Sequence, residues 1–87
     1  MIYLHLGQNV VVPESEILGI FDLDNTTGSK ITREFLNQAE KTGRIVNISE
    51  ELPKSFVVCE ENERIRVYLS QLSPATLLKR SETMNLA

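Results

Sequence analysis

Pro53-Lys54-Ser55-Phe56-Val57-Val58-Cys59-Glu60 is followed, across a polar turn through Asn62, by Arg64-Ile65-Arg66-Val67-Tyr68-Leu69-Ser70. A short connector then leads to Ser73-Pro74-Ala75-Thr76-Leu77-Leu78-Lys79-Arg80. The first run is apolar throughout and too short for a stable helix, which predicts a buried strand. The second alternates, with Ile65, Val67 and Leu69 on one face and Arg64, Arg66, Tyr68 and Ser70 on the other, which predicts a half-exposed strand. Ser73 before Pro74 marks a helix start, since a hydroxyl can cap orphan amides and proline has no amide of its own to satisfy. On that helix Leu77, Leu78, Ser81 and Met84 are expected to form one stripe.

Upstream, Ile2, Leu4 and Leu6 alternate with Tyr3 and His5, so residues 2–6 read as a strand with one apolar face. Gly7-Gln8-Asn9 is turn material, and Val10-Val11-Val12 begins a second strand that Pro13 interrupts or ends. Residues 16–23 form a further apolar run in which Gly19 marks a bulge or a close approach. Asp24-Asn25-Thr26-Thr27-Gly28 is a loop by composition. Ser29 caps a helix through about Thr42, with Ile31, Phe35, Leu36 and Ala39 on its apolar side and Gly43 at its C-cap. Ile45, Val46 and Ile48 make a short strand. Residues 1–87 are therefore expected to form a single α+β domain with a mainly antiparallel sheet and two helices, in the order β-β-α-β-β-β-α.

Bulk properties narrow the function classes. A chain of 87 residues buries only about 60–65% of its unfolded surface, so oligomerisation would help its core. The single cysteine, Cys59, lies in the most apolar strand and reads as a buried, inert thiol. It allows no internal disulfide, which fits a reducing cytoplasm. No apolar run approaches the roughly 18 residues of a membrane span, and no secretory signal pattern opens the chain, so a cytoplasmic protein without membrane association is expected. Nine basic and twelve acidic residues give a net charge of −3. That balance disfavours a generic grip on phosphate backbones without excluding a local basic patch.

No catalytic constellation emerges. Phe21-Asp22-Leu23-Asp24-Asn25-Thr26 is similar to the nucleophile motif of the haloacid-dehalogenase phosphohydrolases. That chemistry, however, needs a parallel doubly wound sheet, a downstream lysine and a later acidic pair. Asp22 and Asp24 are read instead as turn and cap residues. His5, the only histidine, has no second ligand beside it and falls on the polar face of its strand. The glycines are too scattered for a phosphate loop. The chain is expected to be no enzyme and to use no cofactor and no metal.

The basic residues are more informative. Arg64 and Arg66 share a strand face; Lys54 starts the neighbouring strand, near them or at its far end depending on register. For Lys79 and Arg80, expected in the last turns of the final helix, the bland account is complementarity to the helix dipole. The bland account of Arg64 and Arg66 is a solvated strand edge paired with Glu60, Glu61 or Glu63.

The frame Tyr3-Leu4-His5-Leu6-Gly7, Ile17-Leu18-Gly19-Ile20-Phe21-Asp22, Pro53-Lys54-Ser55-Phe56-Val57-Val58 and Leu72-Ser73-Pro74-Ala75-Thr76-Leu77-Leu78-Lys79-Arg80 resembles a bacterial family, the extracellular-matrix regulators RemA and RemB. The likeness is to the RemB branch and covers nearly the whole chain. It implies a small α+β subunit and an intracellular regulator of biofilm-matrix genes. For the RemA branch it implies ring-shaped oligomers that hold DNA along the outside through arginines. The pattern departs at those arginines: one falls on Glu16 and a pair falls near Leu52 and Pro53, leaving Lys54 as the basic residue nearby.

Two functions fit. In the first, the chain is a cytoplasmic, oligomeric regulator of matrix genes, with any nucleic-acid contact through Arg64, Arg66, Lys54 and Arg33. In the second it is an acidic protein-interaction module that oligomerises, or joins a RemA-like protein partner, without binding DNA. Glu14, Glu16, Glu50, Glu51, Glu60, Glu61 and Glu63 would supply that surface.

Overall fold

A computed structural model describes residues 2–23 and 29–86, with side chains as far as Ser81. The elements are β1 (Tyr3–Gly7), β2 (Val10–Pro13), a 3-10 turn (Glu14–Glu16), β3 (Ile17–Asp22), α1 (Lys30–Lys41), β4 (Ile45–Asn47), β5 (Ser55–Glu61), β6 (Arg64–Ser70) and α2 (Pro74–Leu86). The α+β class and its two helices are as the sequence predicts. Pro13 does break the second apolar run: the 3-10 turn after it separates β2 from β3, which belong to different sheets. The loop expected at Asp24–Gly28, and with it Asp24, lies outside the described residues.

β1 and β2 form an antiparallel hairpin, and the other strands form a sheet in the order β3-β5-β6-β4. β5 pairs antiparallel with β3 and with β6, while β4 runs parallel to β6. β5 is buried from Ser55 through Cys59 because both sheet faces are covered. On one face Val57, Cys59 and Tyr68 join Leu4, Leu6 and Val12 of the hairpin and Leu77 of α2. On the other, Phe56, Val58 and Val67 meet Ala39 and Leu36 of α1. Strand alternation assigns each cluster to its own face.

This layering corrects the expected half-exposed face of β6. Tyr68 and Ser70 are buried under the hairpin and the β6–α2 connector, and only Arg64 and Arg66 remain exposed. The Ser70 hydroxyl donates to the Leu6 carbonyl at 2.7 Å and accepts from the Leu72 amide at 3.1 Å. Ser55 donates to the Leu72 carbonyl at 2.8 Å. Both hydroxyls thus satisfy backbone groups where the two sheets and α2 meet, as buried polar atoms require.

The helix signals also resolve. The Thr76 amide donates to Ser73 Oγ at 3.2 Å, the cap foreseen ahead of Pro74. Ser29 occupies the N-cap position of α1 but makes no side-chain cap bond. Gly43 follows with φ +70°, the left-handed conformation that ends helices. The apolar sides of both helices are narrower in contact than their sequence patterns suggest. Leu36 and Ala39 of α1 pack on the sheet, while Ile31 stays 79% and Phe35 38% exposed. On α2 Leu77 is fully buried and Leu78 is 52% exposed; the Met84 side chain lies outside the described residues.

Gly19 sits where the β3–β5 register shifts, and a Cβ there would meet the Phe21 ring at 2.7 Å. The bulge read from the sequence is therefore present, and the ring that fills the space stacks on Phe56 with centroids 5.0 Å apart. At the β5–β6 turn, Asn62 and Glu63 have φ +52° and +67°. Two central residues with positive φ match the twist of an antiparallel pair but strain a side chain such as glutamate. Glu63→Gly should therefore raise stability by about 0.5–1 kcal/mol, the strain relieved less the added freedom of the unfolded chain. Thermal unfolding measures it; a lower midpoint would contradict the assigned turn.

Candidate nucleic-acid interface

The register of the larger sheet fixes where the basic residues stand. Arg64 pairs with Glu61 and Arg66 with Cys59 across β5–β6. β4 lies on the other side of β6, with Ile45 beside Val67, and the Val67 amide donates to the Arg44 carbonyl at 2.9 Å. Arg44 is therefore the strand neighbour of Arg66, about 4.8 Å away between backbones, and by alternation shares its face. Arg44, Arg64 and Arg66 are all exposed. With Thr42, Asn62 and Glu61 they line a hollow of about 750 Å³ at the end of the sheet. Among the described residues none of the three guanidiniums makes an ion pair, so the expected pairing with Glu60, Glu61 or Glu63 is not formed.

The other two sequence-selected residues lie elsewhere. The Lys54 amide donates to the Ser70 carbonyl at 2.8 Å, which puts Lys54 at the opposite end of β6 from Arg64. At about 3.3 Å per residue the separation is roughly 20 Å. Arg33 is exposed near the start of α1, in the layer on the far side of the sheet. At about 1.5 Å per residue it is roughly 12 Å along the axis from the end of that helix. The structure thus joins Arg64 and Arg66 to Arg44, which sequence reasoning did not select, and separates them from Lys54 and Arg33. Only long-range parallel pairing reveals Arg44, because Gly43-Arg44 in the sequence looks like an ordinary helix exit.

Cys59, the register partner of Arg66 on β5, is buried in the core beneath the hairpin. Burial pushes its thiol from the ordinary 9.0 up to about 11, and the negative potential of Glu16 and Glu61 adds to the rise. A neutral buried thiol is not a nucleophile at neutral pH. Native protein at pH 8 should therefore leave Cys59 unreacted with a thiol reagent that modifies it fully in denaturant. Because the folded-state value is the higher one, stability is unaffected by this group below about pH 8. It is lost as pH rises from 9 towards 11, where the unfolded thiol ionises first. Rapid labelling at pH 8 would overturn this environment.

At the other edge of the sheet an apolar hollow of about 330 Å³ is lined by Leu18, Phe21, Ile31, Phe35 and Phe56. Leu18 is 60% exposed there, beside the open edge of β3. Among the described residues no group of three or more His, Cys, Asp or Glu is placed to hold a metal ion. No helix among them is long and apolar enough to cross a membrane.

Comparison with known proteins places this geometry in context. The family model for extracellular matrix regulatory protein A-like (RemA-like) proteins matches residues 3–80. The chain belongs to that family. It is also 39% identical over 82 residues to the extracellular matrix regulatory protein B of Bacillus subtilis (strain 168). That match covers 94% of this chain and 93% of the relative. The RemB-like assignment made from the residue frame therefore holds, and the family is one of extracellular-matrix regulators.

Proposed function

We propose that this RemA-like chain is a cytoplasmic transcriptional regulator of extracellular-matrix (biofilm) genes, acting as a homo-oligomer and contacting nucleic acid through Arg64 and Arg66. The observation that carries the reading is the cluster of unpaired, exposed guanidiniums in a chain whose net charge is −3. Phosphate contacts by arginine release counterions and supply sequence-independent affinity, so a local cluster can act where total charge would not. Lys54 and Arg33 stand apart from it and contribute from other parts of the assembled surface. Self-association is supported by the apolar hollow at Leu18, Phe21, Ile31 and Phe35 and by the marginal core of so short a chain. A ring in which each copy repeats one contact would lay the arginines along a continuous track. The regulatory reading assigns no reaction and no cofactor to the chain.

The test is fluorescence anisotropy of a labelled DNA duplex at low salt, with the mass in solution followed by light scattering. Retention of duplex by a species several times the 9.9 kDa chain is the expected result. No anisotropy change removes direct binding.

One observation favours a second reading. Glu61 lines the same hollow as the arginines, and Lys54 and Arg33 do not reinforce it. An adaptor that oligomerises, or joins a RemA-like partner, without touching DNA fits that distribution. Pull-down from nuclease-treated lysate separates the two: partners that survive nuclease support the adaptor, and partners lost with nucleic acid support the regulator.

A further inference from the structure

The arginine hollow has properties that contact with an extended polyanion does not require. Its volume of about 750 Å³ lies in the range of small-molecule clefts, about 300–1,000 Å³. Among the described residues of the lining, three guanidiniums stand against the single carboxylate of Glu61, so the hollow is net positive and attracts a polyanionic group. Among the described residues Ile65 is the one aliphatic side chain in the lining, so the favoured ligand is polar and offers no large apolar body. Guanidinium forks match phosphate oxygens in pairs, and Arg44 and Arg66, neighbours on adjacent strands, both line this hollow. Glu61 stands in the lining, and the exposed Glu63 follows the lining residue Asn62 in the β5–β6 turn.

We propose that the hollow formed by Arg44, Arg64 and Arg66 binds a small molecule through a di- or triphosphate group, and that its occupancy withdraws Arg64 and Arg66 from nucleic acid. The second half rests on the nucleic-acid reading above. The chemistry is phosphoryl recognition by paired guanidiniums. The small ligand neutralises the same charges that a phosphate backbone would use.

The experiment is calorimetric titration of inorganic triphosphate into the full-length chain, repeated in the presence of a labelled DNA duplex. One saturable site per chain is expected. Arg44→Ala and Arg66→Ala should each weaken it by about tenfold, the effect of removing a charge-assisted hydrogen-bond donor. Glu61→Gln should tighten it several-fold, and Lys54→Ala at the far end of the sheet should leave it unchanged. The substituted side chains of Arg44 and Arg66 are exposed, and unchanged melting curves confirm that each variant is folded. Absence of saturable binding, or equal losses from Arg44→Ala and Lys54→Ala, overturns the site. If triphosphate binds and releases the duplex, both halves stand. If triphosphate binds and the duplex never does, the site stands while the nucleic-acid reading and the regulatory half fall. If the duplex binds and triphosphate neither binds nor competes, the hollow is no ligand site and the nucleic-acid reading survives.

Discussion

Leu77→Ala is expected to cost about 2–5 kcal/mol of folding stability, the range for truncating a fully buried leucine. Leu77 has no exposed surface and joins α2 to Leu4, Leu6 and Tyr68 between the hairpin and the larger sheet. The loss combines the removed apolar contact with the cavity left behind, and packing around it comes from two sheets that cannot both collapse inward. For a domain of this length the effect is a large fraction of total stability, which is only about 5–15 kcal/mol for native proteins. Leu78 is the control, adjacent in sequence but 52% exposed; Leu78→Ala should cost well under about 1 kcal/mol by itself. Urea unfolding followed by circular dichroism measures both. Equal costs at the two positions would contradict the placement of α2.

The double variant Arg64→Ala/Arg66→Ala should lose most of its affinity for duplex DNA at low salt, with the same loss for unrelated sequences. Both guanidiniums are exposed and project from one strand face, and no ion pair within the described residues competes for them. Contacts to phosphate position a protein without reading bases, so their removal weakens binding uniformly. Lys54→Ala should have a smaller effect, because Lys54 lies at the opposite end of β6 and outside the cluster. Competition binding with two unrelated duplexes checks the uniformity. A loss confined to one sequence would point to base contacts instead.

The stretch from Pro53 to Arg80 was the most legible part of the chain because its signals are local. A continuous apolar run, a two-residue turn and a Ser-Pro helix start each act over a few residues, and β5, β6 and α2 follow them. What alternation in β6 could not say was whether the second face met solvent or another layer. Tyr68 and Ser70 are buried because β1 and β2, remote in sequence, fold over them together with the β6–α2 connector. Ile31 and Phe35 failed in the opposite direction. Their spacing predicts a buried stripe, yet the sheet beneath α1 reaches Leu36 and Ala39 and leaves them at its edge. The candidate site was half legible for the same reason. Period two brings Arg64 and Arg66 together, but only the parallel pairing of β4 with β6 adds Arg44, and only the β5–β6 register removes Lys54.

The most direct test of the nucleic-acid claim is the dependence of duplex affinity on salt, compared between the natural chain and Arg64→Ala/Arg66→Ala in the same oligomeric state. Each phosphate neutralised contributes about 0.9 to the slope of log affinity against log salt concentration. If Arg64 and Arg66 each hold a phosphate, the slope should shrink by about two per binding subunit in the variant. An unchanged slope, with affinity equal to that of the natural chain, would place nucleic acid elsewhere on the protein or nowhere on it.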